Sequence, residues 1–218
     1  MKLGFCPIGN GESIRPFNKL FTDSVNIEQS MSGVDAVVFW GGTDIHPSLY
    51  GEQIGRYTQQ KAAQPIYRDD FEWKAMNYCK LNKIPMIGVC RGAQLMTAFV
   101  GGTLIQHVTG HHHPHQMTTS DGRQIITTSC HHQMMYPYDV EHQLLAWTSD
   151  SLSTVYLNGE NHSVENMYEL KEPEVVYYPQ VRGLAIQGHP EWVTDMDDPF
   201  VSYVLEKIED LLIPSMVS

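Results

Sequence analysis

A cysteine between two glycines is the part of this 218-residue sequence best suited to chemistry. The run Gly88-Val89-Cys90-Arg91-Gly92 follows an apolar, strand-like segment and precedes a helix-forming one. A nucleophile on a sharp strand-to-helix turn needs minimal side chains two residues before and after it, because the backbone there is crowded. The helix N-terminus also favours a thiolate over a thiol. Cys90 is therefore a candidate nucleophile, although a tight turn around a small buried cysteine would have the same pattern.

A cysteine nucleophile needs an imidazole to accept its proton and later to protonate the leaving amine. Of the 11 histidines, His189 is favoured because it follows an apolar, strand-like run directly. Glu191 lies two residues further on, across a proline, and can orient the imidazole ring as an acidic residue does in a catalytic triad. A polar loop after a strand is the structural alternative for this His-Pro-Glu segment.

Acyl transfer also needs hydrogen-bond donors for the oxyanion that forms during the reaction. The backbone N–H of Arg91, directly after Cys90, is one candidate. The pair Gly41-Gly42 follows a second apolar run and can supply another, since only glycine lets the main chain approach a substrate closely. A glycine pair after a strand is by itself only a turn, and it gains meaning from Cys90 and His189.

The hydrophobic periodicity predicts elements that bring these residues together. Strands are expected at 1–8, 35–40, 85–89, 124–128, 144–148, 175–178 and 183–187, and helices at 23–31, 68–81, 93–100 and 199–212. This alternation predicts an α/β fold with a mostly parallel central sheet flanked by helices. Reactive groups gather at the carboxyl ends of strands in such sheets, where both Cys90 and His189 are expected.

Length and charge limit the classes of function. The chain suits one domain over residues 1–218, and no linker or repeat divides it. A net charge of −11 argues against a nucleic-acid partner. No apolar run could span a bilayer and no signal peptide is evident, so we expect no membrane association and a cytoplasmic location. The four cysteines are widely spaced, which predicts reduced thiols rather than disulfides or a zinc ribbon.

Several segments in the same order carry a family resemblance. They are Gly41–Gly51, Arg68–Glu72, Ile87–Met96 with Gly101–Leu104, Ser129–Gln133 and Gln187–Trp192. Over roughly residues 35–195 the chain resembles the class I glutamine amidotransferase-like superfamily. Within it, the chain looks similar to the γ-glutamyl hydrolase branch typified by γ-glutamyl-γ-aminobutyrate hydrolase.

The resemblance implies a flavodoxin-like fold with a cysteine nucleophile elbow and a triad of Cys90, His189 and Glu191. It also implies an oxyanion hole formed by the main-chain amides of Gly42 and Arg91. The substrate implied is a small γ-glutamyl amide, which is cleaved through a glutamyl thioester without a cofactor. In the family, the glutamyl head group is held by residues that correspond here to Gln94, Ser129, His131 and His132.

Two segments depart from the family pattern. The region before Gly41 is short for this branch, so the sheet edge is expected to be trimmed or rebuilt. The segment 104–133 is compact and rich in histidine, and in the family this side of the site shapes the leaving-group pocket. The identity of the leaving amine is therefore left open.

Three functions are compatible with these residues. The leading hypothesis is a hydrolase that releases glutamate and an amine from a γ-glutamyl amide. The first alternative is a glutaminase subunit that passes ammonia to a separate synthetase or ligase partner. The second alternative is an inactive binding protein of the same fold. The oligomeric state does not follow from the residues, and a homodimer is compatible with them.

The run His111-His112-His113-Pro114-His115 is rich in potential metal ligands. A metal site of defined geometry usually draws ligands from more than one element, and no cysteine or carboxylate has a telling spacing to this run. We therefore expect no metal site, but a pocket-lining loop with His115 as its only inward residue. Cys130 is not expected to be a nucleophile, because no glycines flank it and its neighbouring histidines are too close in sequence.

Overall fold

A nine-stranded mixed sheet is the centre of the fold in the computed structural model, which describes residues 1–6, 14–165 and 167–213. The strands are Lys2–Phe5 (β1), Asp23–Asn26 (β2), Ala36–Phe39 (β3), Met86–Val89 (β4), Thr103–Ile105 (β5), His107–Val108 (β6), His115–Thr119 (β7), Gln124–Thr127 (β8), Met134–Tyr136 (β9), Gln143–Thr148 (β10), Tyr156–Asn158 (β11), His162–Ser163 (β12), Pro173–Tyr178 (β13) and Gly183–Ile186 (β14). The α-helices are Tyr67–Leu81 (α1), Arg91–Phe99 (α2) and Pro199–Leu212 (α3).

The large sheet has a parallel half and an antiparallel half. Its strand order is β2-β1-β3-β4-β14-β13-β10-β7-β8, and the first five strands run parallel to one another. The remaining four pair antiparallel. Two small sheets, β12-β11-β6 and β5-β9, complete the strands. The predicted α/β architecture is confirmed, with the candidate nucleophile at the end of β4 in the parallel half.

Helices cover both faces of the sheet because its strands are apolar on both sides. Val38 and Ile87 belong to the core on the α3 face, whereas Val37 and Met86 belong to the core beneath α1 and α2. This alternation follows the two-residue period of a strand, and fully apolar strands are typical of parallel sheets buried on both faces. The predicted helices at 68–81, 93–100 and 199–212 are confirmed to within two residues at each end.

The predicted helix at 23–31 is wrong, because its first residues form edge strand β2. β2 pairs parallel with β1, from Lys2 opposite Asp23 to Phe5 opposite Asn26, and the N–H of Ile27 donates to the carbonyl oxygen of Phe5. Strand pairing satisfies backbone groups that an exposed β1 edge would leave open. Asp, Ser, Val and Asn are also weak helix formers. The edge before Gly41 is thus rebuilt with a strand, while predicted strand residues 7 and 8 lie outside the described residues.

Within the part of the chain that the structure describes, none of the helices has both the length and the apolar character needed to cross a membrane.

Candidate active site

Cys90 sits on a strained turn between β4 and α2. Its backbone has φ 51° and ψ −107°, a conformation that costs a non-glycine residue about 1–3 kcal/mol. A Cβ on Gly88 would lie 2.6 Å from the carbonyl oxygen of Gly92, and a Cβ on Gly92 would lie 2.0 Å from that of Phe39. Both flanking positions therefore exclude any side chain. The strand-to-helix elbow predicted from the sequence is present.

His189 and Glu191 stand beside Cys90 because β4 and β14 are parallel neighbours that end at the same edge of the sheet. The Nδ1 of His189 lies 2.7 Å from the Oε1 of Glu191, and the side chain of Cys90 lies beside the same imidazole. All three residues are buried. The order thiol, imidazole, carboxylate is that of a catalytic triad.

The protonation of His189 is set by its two partners. Burial alone would lower the pKa of His189, but hydrogen bonds with Cys90 and Glu191 outweigh it and raise this pKa to about 10. The imidazolium form is therefore favoured at neutral pH. A positively charged ring beside Cys90 stabilises the thiolate, which is the reactive form of the sulfur.

Two further residues hold the imidazole in place. The hydroxyl of Thr128 donates to the carbonyl oxygen of His189 and accepts from its N–H, both at 2.8 Å. The indole of Trp192 stacks on the imidazole with centroids 3.7 Å apart and planes 2° from parallel. Sequence reasoning missed both roles. Trp192 lies next to the His-Pro-Glu segment, but no feature of the sequence pairs Thr128 with a residue 61 positions away.

The expected oxyanion donors lie on either side of Cys90. Arg91 is the first residue of α2, so its N–H has no acceptor within the helix. Gly42 lines the pocket around Cys90 and has φ +143°, a conformation that favours glycine. A Cβ on Gly42 would also lie 2.4 Å from the Nη1 of Arg68. A residue with a side chain would therefore not fit at position 42.

A buried network of ion pairs connects the elements that surround Cys90. Arg91 forms ion pairs with Asp69 and Glu72, and Glu72 also pairs with Arg68 at 3.0 Å. The Nη2 of Arg68 donates to the carbonyl oxygens of Trp40 and Gly41 at 2.8 and 3.1 Å. The network thus ties α1 to the first residue of α2 and to the glycine pair.

Acidic residues in the first turn of α1 suit the helix dipole, which the sequence pattern alone suggests as their role. Asp70 is exposed and fits that interpretation, but Asp69 and Glu72 are fully buried. Asp69 nevertheless caps the helix, because its carboxylate accepts from the N–H of Ile66 at 3.3 Å. The helix-terminal interpretation of Asp69 is therefore confirmed but incomplete, since Asp69 and Glu72 both also pair with Arg91. A single sequence does not show these pairs, because Arg91 lies 22 residues from Asp69 and 19 from Glu72.

A small pocket opens beside Cys90. Its lining consists of Gly42, Asp44, Gln59, Cys90, Gln94, Cys130, His131, His132 and Gln133. His189 and Trp192 line a second, more open hollow, which shares Gly42, Cys90 and Cys130 with the first pocket. The candidate nucleophile therefore lines two adjoining compartments, one largely polar and one beside the imidazole.

The residues expected to hold a substrate head group are used in different ways. Gln94 donates from Nε2 to the carbonyl oxygen of Gln133 at 3.0 Å, and His132 contacts Asp44 at 3.0 Å at the pocket wall. The hydroxyl of Ser129 donates to the carbonyl oxygen of His111, and the ring of His131 is turned towards Glu174. Gln94 and His132 therefore present side chains near the pocket, whereas those of Ser129 and His131 support its wall.

The histidine run is arranged differently from the expectation. His112 and His113 are exposed, and His115 is turned inward to Glu174, as expected. His111 is also inward and is fully buried. The expectation that His115 is the only inward residue of the run is therefore wrong, because Glu172 and Glu174 on β13 provide buried partners for His111.

The sequence profile of the family Peptidase C26 matches residues 19–191, a range that contains Cys90, His189 and Glu191. The chain belongs to the Peptidase C26 family. Membership supports a cysteine-type amidohydrolase or amidotransferase-like activity. The predicted class I glutamine amidotransferase relationship is confirmed, whereas the narrower γ-glutamyl hydrolase branch stays a prediction.

Relatives of this Peptidase C26 member carry related names. YvdE of Lactococcus lactis subsp. lactis, named as a glutamine amidotransferase-like protein, is 27% identical over 89% of this chain and 80% of its own length. Its homologue from subsp. cremoris is 36% identical over 48% of this chain and 52% of its own length. A glutamine amidotransferase of Schizosaccharomyces pombe is 33% identical over 35% of this chain, and the match spans only 29% of that relative.

Solved structures show the same fold at low sequence identity. A GMP synthase protein from Thermoplasma acidophilum superposes with a TM-score of 0.58 at 13% identity, covering 97% of this chain and 94% of that one. A glutamine amidotransferase from Thermotoga maritima gives 0.57 at 12% identity, covering 96% and 84%. These similarities support the fold of the family member.

Proposed function

We propose that this protein hydrolyses a γ-glutamyl amide bond through a thioester on Cys90, releasing glutamate and an amine. The observation that carries the proposal is the buried relay of Cys90, His189 and Glu191 at a strained elbow beside a small polar pocket. The chemistry at Cys90 needs no cofactor, since thiolate, acid and oxyanion donors all come from the chain itself.

The proposed reaction has two halves, formation of the thioester and its hydrolysis. His189 transfers a proton in each of them. The Cys90 thiolate attacks the amide carbon, and the resulting oxyanion is stabilised by the N–H groups of Gly42 and Arg91. The imidazolium of His189 gives its proton to the leaving nitrogen as the C–N bond breaks. Water then gives a proton to His189 and attacks the thioester. Breakage of the C–S bond releases glutamate and restores the thiolate and imidazolium.

The two compartments beside Cys90 support a small acyl group. The small pocket beside Cys90 suits an amino-acid side chain and its head group rather than a folded polypeptide. The Asp44 carboxylate lies in its wall and favours a cationic group such as an α-ammonium. The hollow at His189 and Trp192 is where the leaving amine receives its proton and exits.

A substrate screen tests the proposal. The purified protein is given glutamine and a set of larger γ-glutamyl amides, and glutamate release is measured while the acyl-enzyme is trapped for mass spectrometry. We expect turnover of at least one γ-glutamyl amide and a glutamyl adduct on Cys90. Turnover of α-glutamyl amides alone would contradict the proposal, and no turnover of any amide would favour an inactive binding protein.

The same screen addresses a second candidate function. Several relatives are named as glutamine amidotransferases, which favours a glutaminase that delivers ammonia to a separate synthetase or ligase. Glutamine would then be the best substrate, and a partner protein would raise its rate. Faster hydrolysis of larger γ-glutamyl amides, with no effect of candidate partners, favours the hydrolase.

Thr128→Val is expected to lower kcat about 10- to 100-fold with little change in KM. The substitution keeps the side-chain shape but removes both hydrogen bonds to the main chain of His189, and a misplaced base can cost this much. Steady-state kinetics on the best substrate of the screen measures it. Thr118→Val, on β7 away from Cys90, is the control. An unchanged kcat in Thr128→Val would show that Thr128 does not position His189.

Glu191→Gln is expected to move the alkaline limb of the kcat/KM profile to lower pH. The imidazolium needed for the leaving amine is present below the His189 pKa of about 10 and lost above it. Loss of the carboxylate removes one of the interactions that raise this pKa, so the limb shifts towards the ordinary histidine value. We also expect kcat to fall about 10²- to 10⁴-fold. Glu209→Gln, at an exposed position, is the control. An unshifted alkaline limb in Glu191→Gln would argue against the proposed role of Glu191.

A further inference from the structure

We infer that His111, His131 and Glu174, joined by His115, bind one structural zinc ion beside the active site. The ion would hold the segment 129–133, which lines the pocket at Cys90. This inference does not depend on the proposed reaction, because these side chains are separate from the thiolate and its relay.

The proposed ligands come from three different parts of the fold. His111 lies in the loop before β7 and His115 is the first residue of β7. His131 lies between β8 and β9, and Glu174 is the second residue of β13. His111, His131 and Glu174 are each at most 3% exposed. A closed site whose ligands come from several elements is typical of structural zinc.

The potential ligand atoms of His111, His131 and Glu174 lie within 4.8 Å of one another, and His115 adjoins them through Glu174. The Oε1 of Glu174 lies 3.5 Å from the Nδ1 of His111, 4.0 Å from the Nε2 of His131 and 2.9 Å from the Nε2 of His115. In a tetrahedral zinc site, neighbouring ligand atoms are about 3.3–3.6 Å apart for zinc–ligand bonds of about 2.0–2.2 Å. Small side-chain adjustments would therefore bring these atoms around one ion.

In each histidine, the ring nitrogen that faces away from Glu174 forms a hydrogen bond. This bond determines which nitrogen is left to bind a metal. The Nδ1 of His131 lies 2.8 Å from the carbonyl oxygen of Gln133, and the Nδ1 of His115 lies 3.0 Å from that of His113. A carbonyl oxygen only accepts, so each of these nitrogens carries a proton. In the neutral ring, the other nitrogen then presents a lone pair to Glu174.

His111 follows the same rule with a carboxylate as its outer partner. Its Nε2 lies 3.2 Å from the Oε2 of Glu172, which leaves its Nδ1 facing Glu174. The carboxylate of Glu172 is itself held by the N–H groups of Leu152 and Ser153 and by the hydroxyl of Tyr156. A histidine ligand oriented by a fixed carboxylate or carbonyl oxygen is the usual outer arrangement of a metal site.

Three atoms in the centre of this cluster lack a hydrogen-bond partner among the described residues. They are the Nδ1 of His111, the Nε2 of His131 and the Oε2 of Glu174, and all are buried. A buried polar atom without a hydrogen-bond partner is destabilising. A divalent cation would turn these contacts into bonds, and three nitrogens with one oxygen suit zinc.

The position of the cluster explains what the ion would do. The carbonyl oxygen of His111 accepts from the hydroxyl of Ser129 at 2.6 Å and from the N–H of His131 at 3.1 Å. The carbonyl oxygen of Gln133 in turn accepts from Gln94 in the pocket. Fixing His111 and His131 therefore fixes the wall on which the substrate head group would rest.

The test measures metal content and ligation in the full-length protein. Samples stripped with a chelator and then reloaded with Zn²⁺ are analysed by elemental mass spectrometry and by calorimetric titration, and Co²⁺-loaded protein is examined for the visible bands of tetrahedral cobalt. We expect one ion per chain and tetrahedral Co²⁺ bands. Glu174→Gln and His131→Ala are each expected to weaken Zn²⁺ binding by about 100-fold or more.

His112→Ala and His113→Ala are the matched controls, because both residues lie in the same run but are exposed. They should bind Zn²⁺ as the unaltered protein does, while circular dichroism shows that each variant is folded. Absence of stoichiometric binding by the folded unaltered protein would overturn the inference, since protons would then satisfy the cluster. Loss of binding in the two controls would overturn it as well, because the surface histidines would be the ligands. If a variant does not fold, the binding stoichiometry and the cobalt spectrum of the unaltered protein decide whether the zinc site exists.

Discussion

Replacing Cys90 with alanine should reduce γ-glutamyl amide hydrolysis by at least about 10⁴-fold. Without the thiolate there is no atom to form the thioester, and His189 and Glu191 have no proton relay to serve. The oxyanion donors and the pocket would be left, so binding of substrate should change much less than kcat. Alanine is also the smallest change that keeps a Cβ at this strained position.

The measurement combines steady-state hydrolysis with mass spectrometry of the intact protein during turnover. The unaltered protein should gain the mass of one glutamyl group and Cys90→Ala should not. Cys130→Ala is the matched control, because Cys130 lines the same pocket and its thiol is exposed. Substantial activity in Cys90→Ala, or loss of the adduct in Cys130→Ala, would contradict the proposed nucleophile.

Glu72→Gln should lower the free energy of unfolding by about 3–5 kcal/mol. The side chain keeps its shape but loses the charge that pairs with both Arg68 and Arg91. Arg91 would then keep only the carboxylate of Asp69, and the buried Arg68 would lose the carboxylate that it pairs with. Removing one member of a buried ionic network is far more costly than removing a surface pair, because the remaining charges stay out of water.

Urea unfolding followed by circular dichroism measures the change, with Asp70→Asn as the control. Asp70 lies in the same helix and loses the same charge, but it is exposed, so its variant should lose less than about 1 kcal/mol. We also expect Glu72→Gln to lower kcat, since Arg68 contacts the backbone of Gly41 beside the oxyanion donors. Equal stability losses in the two variants would show that the network contributes little.

The elbow and the His-Pro-Glu segment were predictable because their chemistry is local in sequence. Glycines two residues before and after Cys90 are required by backbone crowding at that turn. Glu191 reaches His189 from two positions along the chain. The apolar runs before Cys90 and His189 likewise predicted strands, and the parallel sheet brought their ends together.

Predictions failed where distant partners decide the environment of a polar residue. Glu72 resembles a helix-terminal acid, but it is buried and pairs with Arg68 and Arg91. His111 resembles an exposed member of a histidine run until β13 presents Glu172 and Glu174. The segment 23–31 resembles a short helix, but the open edge of β1 pairs with its first residues.

By itself, the sequence determined the α/β class, the position of the strand-to-helix turn at Cys90 and the order of the residues proposed as a triad. Those features follow from hydrophobic periodicity, from the space that glycine leaves and from residues close together in the chain. Only the tertiary structure decided which charges are buried, which histidines face Glu174 and how Thr128 and Trp192 hold His189. Such contacts join residues far apart in the chain, and their energies depend on burial and on the partner's position rather than on the local sequence.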